Sequence, residues 1–299
     1  MRATFDRVSN RAKRELIAKF PPATHYAESR RAAQMAAYRP RLRPLDERGR
    51  AQVATLEQYG ALVGPWDDLA LPGIDEVKPL LSEHAKMLAA VGPDTPVDGD
   101  GSICLSRDDM LSDERLFQWG LQDEVLDLVE HHLGMPAYYF GALVRRDVAD
   151  AKTVGVRQWH RDVEDERNLK ILVWLNDVDD DGGPFTYVPL PRSRDAVREL
   201  RYVGGFVPDE RMEAVVPRSE WVQAVGPQWT AVMADNCQIL HRAKPPVARD
   251  RYSVTFSWST REPRKVMPAA PWRSDQVAQA TRGLGSRALQ ALPPAMFGR

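Results

Sequence analysis

The chain has 299 residues, 43% hydrophobic and 28% charged, a balance that supports a sizeable core in one large domain with appendages or two small ones. No apolar run is long enough to span a bilayer, the opening MRATFDRVSNRAKRELIAKF lacks an apolar signal core, and Cys104 and Cys237 alone cannot make a disulfide framework or a Cys-rich zinc site, so a cytoplasmic location is expected. Net charge is −1, but residues 1–50 hold 13 Lys/Arg against 5 Asp/Glu, a local +8, and the remainder carries −9.

Residues 1–44 form a basic extension, irregular or partly helical, punctuated by Pro21-Pro22, Pro40 and Pro44. Such an arm suits an anionic partner or a solvated helix, and the second is the simpler account. An organelle transit peptide would share its arginines, but Asp6 and Glu15 argue against one. Without a nucleic-acid-binding motif, no nucleic-acid partner is expected. DERGRAQVATLEQY, from Asp46 to Tyr59, predicts a helix closed by Gly60, and Ala61 to Val63 an edge strand. Further helices are predicted from Ile74 to Ala90 and from Asp113 to Leu133, the latter stopped by Gly134 and Pro136, with a loop over 92–103 between them. From there short β-like runs take over, at 138–146, 153–159, 169–177, 184–188, 219–225, 229–234 and 251–259. Helices first and then a β-core over 137–260 read as α+β, with a sandwich or barrel as the core. The residues from Asp275 to Leu292 predict a terminal helix broken by Gly283 and Gly285, within a tail over 263–299.

Of six histidines, His25, His84, His131 and His132 fall in helical or irregular regions, and the last two end a helix where imidazoles mostly face water. His160 and His241 fall at strand ends in the β-core. In Trp159-His160-Arg161-Asp162 the imidazole and the carboxylate share a face, because side chains two apart on extended backbone point the same way. His241 is then the candidate third donor. Two His and one carboxylate leave an open face, the arrangement that suits non-heme Fe(II). Downstream, Arg251, Ser253, Thr255 and Ser257 alternate with Tyr252, Val254, Phe256 and Trp258, giving one polar and one apolar face. Arg251 is placed to grip an anion beside the metal, with Ser253 as a second donor. One of Arg145 and Arg146 points inward. The acidic run Asp162 to Glu166 reads as a solvated loop or a lid, Asp179 to Gly183 as a strand-connecting turn, and Cys237 as a small buried strand residue.

WHRD, His241, Arg251 and the segment LKILVWLNDVDDDGGPFTYVP resemble the phytanoyl-CoA dioxygenase family, over roughly residues 46–260 and most strongly over 157–258. The resemblance implies a double-stranded β-helix, a cupin-like jelly roll, with N-terminal helices packed on it and a C-terminal helix, the domain running over 45–262. It implies Fe(II), bound by His160, Asp162 and His241, with 2-oxoglutarate and dioxygen as co-substrates. Arg251 and Ser253 would hold the distal carboxylate of 2-oxoglutarate, and Trp174 would lie near it or serve as a core aromatic. The implied activity is a dioxygenase that hydroxylates a C–H bond of a small molecule and releases succinate and CO2. Where relatives commonly carry Pro-Gly-Ser/Thr-His this chain has Pro189-Leu190-Pro191-Arg192, and Gln228-Trp229 stand where Gly-Asp is common. Both departures bear on the substrate rather than the chemistry. Relatives that halogenate lack the carboxylate, so Asp162 argues against halogenation. Two other readings stay open: a non-oxidative hydrolase or isomerase using the same triad with zinc or manganese, and a barrel that binds without catalysis. An anion clamp at Arg251 favours the oxygenase over the first, and the intact set of residues disfavours the second. The prime substrate and the oligomeric state are not set by the sequence.

Overall fold

The computed structural model describes residues 21–92, 95–264 and 271–298, so expectations for residues 1–20 lie outside the described residues. Two antiparallel sheets form its centre. The larger has the order β1 (Ala61–Pro65), β7 (Thr230–Ala234), β4 (Asn168–Trp174), β9 (Arg251–Thr260), β3 (Ala137–Asp147) and β2 (Ser102–Cys104). The smaller has the order β6 (Val222–Gln223), β5 (Phe185–Tyr187) and β8 (His241–Ala243).

Alternation along each long strand sorts side chains between two environments. Ile171, Val173, Met233, Val254, Phe256 and Trp258 point outward into a large core shared with the helices. Leu172, Trp174, Val232 and Ala234 point inward and meet Phe185, Tyr187 and Ile239. β4 therefore reads as nearly continuous apolar sequence because both of its faces are covered. The outer layer includes the helices Glu47–Tyr59, Ile74–Ala89 and Asp123–Leu133, with residues of the tail, Ala288, Leu292 and Met296, in the same core. Asp46 caps the first of these by accepting from Gly49 N, and Gly60 ends it at φ 78°. The tail breaks as expected, into helices Ser274–Ala280 and Ser286–Gln290. No helix among the described residues is long and apolar enough to cross a membrane.

Several elements differ from expectation. Pro21 and Pro22 open a regular helix, Pro21–Tyr38, as first-turn prolines can. Its Arg31 reaches Asp165 and Glu166, and its Tyr38 donates to Glu130. The helix predicted over 113–133 is two helices, Glu114–Trp119 and Asp123–Leu133. Gly120 lies against the Tyr139 ring, where a Cβ would sit 2.4 Å from a ring carbon, and its carbonyl accepts from the Trp258 indole. Tertiary contact breaks a run whose local pattern continues. Residues 153–159 are not a strand: Gly155, at φ 51°, opens a 3-10 turn through Arg157, and only Trp159 and His160 make isolated bridges. The run at 219–225 shrinks to β6. A helix, Leu190–Glu199, fills the segment after Pro189. With Trp159, Val207, Met212 and Leu240 it builds a small third core behind the histidines.

Candidate metal centre and adjoining cavity

His160 and His241 face each other across an antiparallel bridge, each backbone N–H donating to the other's carbonyl at 2.9 Å. That pairing sets both imidazoles on one side of the backbone, their ring centroids 4.3 Å apart. The Nδ1 of each ring is held by the carbonyl two residues earlier, Gln158 at 2.8 Å and Ile239 at 3.1 Å. Carbonyl partners fix the proton on Nδ1 and leave Nε2 as a lone-pair donor, the usual outer support of a metal-binding imidazole. Asp162, two residues past His160, returns to the same face, with Oδ1 3.6 Å from His160 Nε2 and 3.8 Å from His241 Nε2. The three donor atoms lie within 4.8 Å of one another, and the set can hold a metal ion. Burial and the neighbouring His160 lower the His241 pKa to about 3, so its ring stays neutral, as a ligand must be.

His241 does not follow directly on a strand. β7 ends at Ala234 and a turn intervenes, in which Cys237 is buried but not in a strand, before His241 starts β8. Behind the bridge, the Arg242 guanidinium lies over the rings of Trp159 and Trp221, at 5.1 and 5.3 Å, and pairs with Asp209. The residues flanking both histidines are thereby locked together. Phe206 stands edge-on to the His160 ring at 5.4 Å and stays half exposed, on the solvent side of the site.

The donors open onto a cavity of about 160 Å³ whose wall includes Arg145, Lys170, Trp174, Asn236 and Arg251. The polar face of β9 does turn inward, since Thr255 and Ser257 line the cavity and Arg251 and Ser253 are buried. Trp174 lies beneath Arg251, 5.5 Å from guanidinium to ring, and donates from Nε1 to Ala224 O. Ser253 Oγ is buried and has no hydrogen-bond partner among the described residues.

Arg251 also has a partner within the protein. Its guanidinium is not free for an incoming anion alone, because it pairs with buried Asp147 at 2.9 Å. Asp147 also meets Arg145 Nε at 3.4 Å and accepts from Ser102 Oγ at 2.6 Å. Burial opposes ionisation of Asp147, yet Arg145 and Arg251 outweigh it and hold the carboxyl well below the usual range. Two guanidiniums share one carboxylate, so one positive charge of the trio is unmatched within it. Arg145 is the inward residue of its pair. Arg146 points to the other face, toward Asp250 at 2.6 Å and the carbonyls of Leu88 and Val91.

Lys170 and Asn168 were not legible as site residues. Lys170 Nζ lies 2.5 Å from Asp162 Oδ2 and 3.3 Å from Glu164 Oε1, and Asn168 Nδ2 donates to the same two carboxylates. The available signal was one lysine within the apolar run NLKILVW. The acidic run is neither a lid nor a solvated loop. Glu164 is taken by Lys170, Asp165 accepts from Thr260 and pairs with Arg31, and Glu166 pairs with Arg31 and Arg264. His132 is buried rather than solvated, its Nε2 3.0 Å from Asp235. Asp179 to Gly183 is the expected turn, closed by Gly182 N donating to Asp179.

No protein-family model matches the chain, and no curated protein is similar to it. Solved structures are. EctD from S. alaskensis with bound Fe is 19% identical, at a TM-score of 0.50 over 76% of this chain and 82% of that one. The same enzyme with 2-oxoglutarate and 5-hydroxyectoine is 19% identical, at 0.50 over 73% and 79%. HygX from Streptomyces hygroscopicus with nickel, 2-oxoglutarate and hygromycin B is 16% identical, at 0.49 over 79% and 95%. The likeness to EctD shows the fold. The chain is an α+β protein, as its sequence pattern implies, built on a double-stranded β-helix, as the family resemblance implies.

Proposed function

We propose that the protein is an Fe(II)- and 2-oxoglutarate-dependent dioxygenase that hydroxylates a C–H bond of a small molecule. One observation carries the reading: an open N,N,O donor set and two guanidiniums, buried Arg251 and partly buried Arg145, which share the single carboxylate of Asp147, face the same cavity. A 2-oxo acid whose keto and carboxylate oxygens meet the metal, with a second carboxylate at its far end for the guanidiniums, answers both. EctD, whose fold this chain shares, has been solved with Fe and with 2-oxoglutarate.

In this reading His160, Asp162 and His241 hold the iron through Nε2, Oδ1 and Nε2. Bound iron supplies the redox chemistry that couples decarboxylation of 2-oxoglutarate to oxidation of the substrate by O2. Arg251 offers charge-assisted hydrogen bonds to the distal carboxylate, Arg145 adds charge, and Ser253 gains the partner its hydroxyl lacks. Trp174, its ring 5.5 Å from the Arg251 guanidinium, helps to screen it from water. The departures at 189–192 place a helix behind the histidines, and Phe206 becomes the aromatic that an approaching substrate meets.

Anaerobic addition of Fe(II) and 2-oxoglutarate to the purified protein is expected to give a weak visible charge-transfer band. Oxygen should then yield succinate. Normal iron affinity without the band removes 2-oxoglutarate from the assignment.

A further inference from the structure

The site contains a lysine that the proposed chemistry does not itself require. Lys170 is the inward residue of β4 that lies between Ala234 of β7 and Ser257 of β9, two small neighbours that leave room for its side chain to extend. An ammonium in such a wall is costly unless it is paired. Its partners are Asp162 and Glu164, the acids that flank Val163 on the metal-bearing segment.

The pairing is one-sided. Asp162 Oδ2 receives both Lys170 Nζ at 2.5 Å and Asn168 Nδ2 at 3.2 Å, whereas Oδ1 is the oxygen near the two Nε2 atoms. Asn168 is itself fixed, since its Oδ1 accepts from Cys237 N and its backbone N donates to Asp235. An oxygen with two strong donors already on it is a poor metal ligand, and its partner is left as the basic one. Glu164 is restrained in the same way, by Lys170 and Asn168 on Oε1 and Val163 N on Oε2. Lys170 and Asn168 together engage Asp162 Oδ2 and Glu164 Oε1, and Val163 N takes Glu164 Oε2, so three of the four carboxylate oxygens already have donors.

We propose that Lys170, with Asn168, is a positioning residue that limits Asp162 to one-oxygen ligation and withholds Glu164, so that a bound ion keeps room for a two-point co-substrate. The proposal rests on the metal-binding reading above. Its consequence runs against simple electrostatics. Removing a cation should not weaken metal binding, but should weaken what binds to the metal.

The test uses the full chain, Co(II) as the probe metal, and the variants Lys170→Met, Lys170→Arg and His241→Ala. In Co(II)-loaded crystals, wild type should show one Asp162 oxygen on the metal, and Lys170→Met both Asp162 oxygens or an added Glu164. Co(II) affinity of Lys170→Met should equal or exceed that of wild type, while 2-oxoglutarate affinity of its Co(II) form falls about tenfold, as for loss of an outer partner of a ligand. Lys170→Arg should restore that affinity. One-oxygen ligation in Lys170→Met with unchanged 2-oxoglutarate affinity overturns the proposal. Should Lys170→Met not fold, Lys170→Gln, which loses the charge but keeps a polar end, is read in the same way. If wild type binds Co(II) no better than His241→Ala, the metal reading itself fails. If wild type binds Co(II) but not 2-oxoglutarate, only the co-substrate assignment fails, and the coordination seen in the crystals still decides the role of Lys170.

Discussion

The two sheets differ in regularity and in what they give the site. The large sheet has strands of up to 11 residues and contributes the charged groups Arg145, Lys170 and Arg251. The small sheet has strands of 2 or 3 residues and contributes His241, with His160 joined to it by a single bridge. Long register lets a sheet bury charge, because each side chain's neighbours across the ladder are fixed. Arg145 stands opposite Ser253, and Asp147 opposite Arg251. The metal donors depend instead on local backbone: a carbonyl two residues back orients each ring. In the proposed reading, one end of the cavity is therefore a stability feature as well as a binding one, and the other is chiefly a binding feature.

Substitutions can break or sharpen that contrast. The largest expected effect is His241→Ala, which should lower divalent-metal affinity by more than about a hundredfold, beyond the usual cost of an outer partner. Its urea midpoint should stay the same or rise, since ligand clusters are held for function. A cooperative loss of stability would erase the distinction between the two ends. Arg251→Met should show the opposite profile, with a destabilisation of about 3–5 kcal/mol in urea from breaking a buried pair. Adding Asp147→Asn should recover much of it, and a double-mutant cycle measures the coupling. Next come two adjacent arginines. Arg145→Met is expected to weaken 2-oxoglutarate binding about tenfold in titrations, as for loss of one charge-assisted contact, whereas Arg146→Met should leave it unchanged and cost about 1–3 kcal/mol through its carbonyl and Asp250 partners. Equal effects would mean that the inward and outward faces of β3 are misassigned. The smallest expected effect is Trp221→Leu, which removes one of the two rings over Arg242 and should cost about 1 kcal/mol by thermal melt.

The same contrast explains what was legible in the sequence. The alternation from Arg251 to Trp258 needed no tertiary knowledge, and it placed the polar face of β9 correctly. The helix Glu47–Tyr59 was marked at both ends by Asp46 and Gly60. His160, Asp162 and His241 stood out together, because a His-x-Asp, common by chance, gains weight from a distal histidine and the Arg251-x-Ser253 that follows it. Three things were hidden. Two-residue and three-residue strands carry too few residues for a period of two to register. The break at Gly120 comes from the Tyr139 ring and the Trp258 indole, neither of which is local. The partner of Arg251 lies 104 positions away, at Asp147, and pattern alone reads an arginine's charge as free. Leu190–Glu199 was more accessible, since a proline in the first turn is a helix-start signal.

The bridge between His160 and His241 also has a meaning in time. It joins segments that are distant in sequence, and everything from β4 through β7 is made in between. A growing chain therefore carries two donors long before it can chelate, and the third arrives only when the excursion has closed on itself. Contacts of such long range form late, because loop closure must precede them. If the set binds a metal as proposed, its capture would report that the barrel has finished folding.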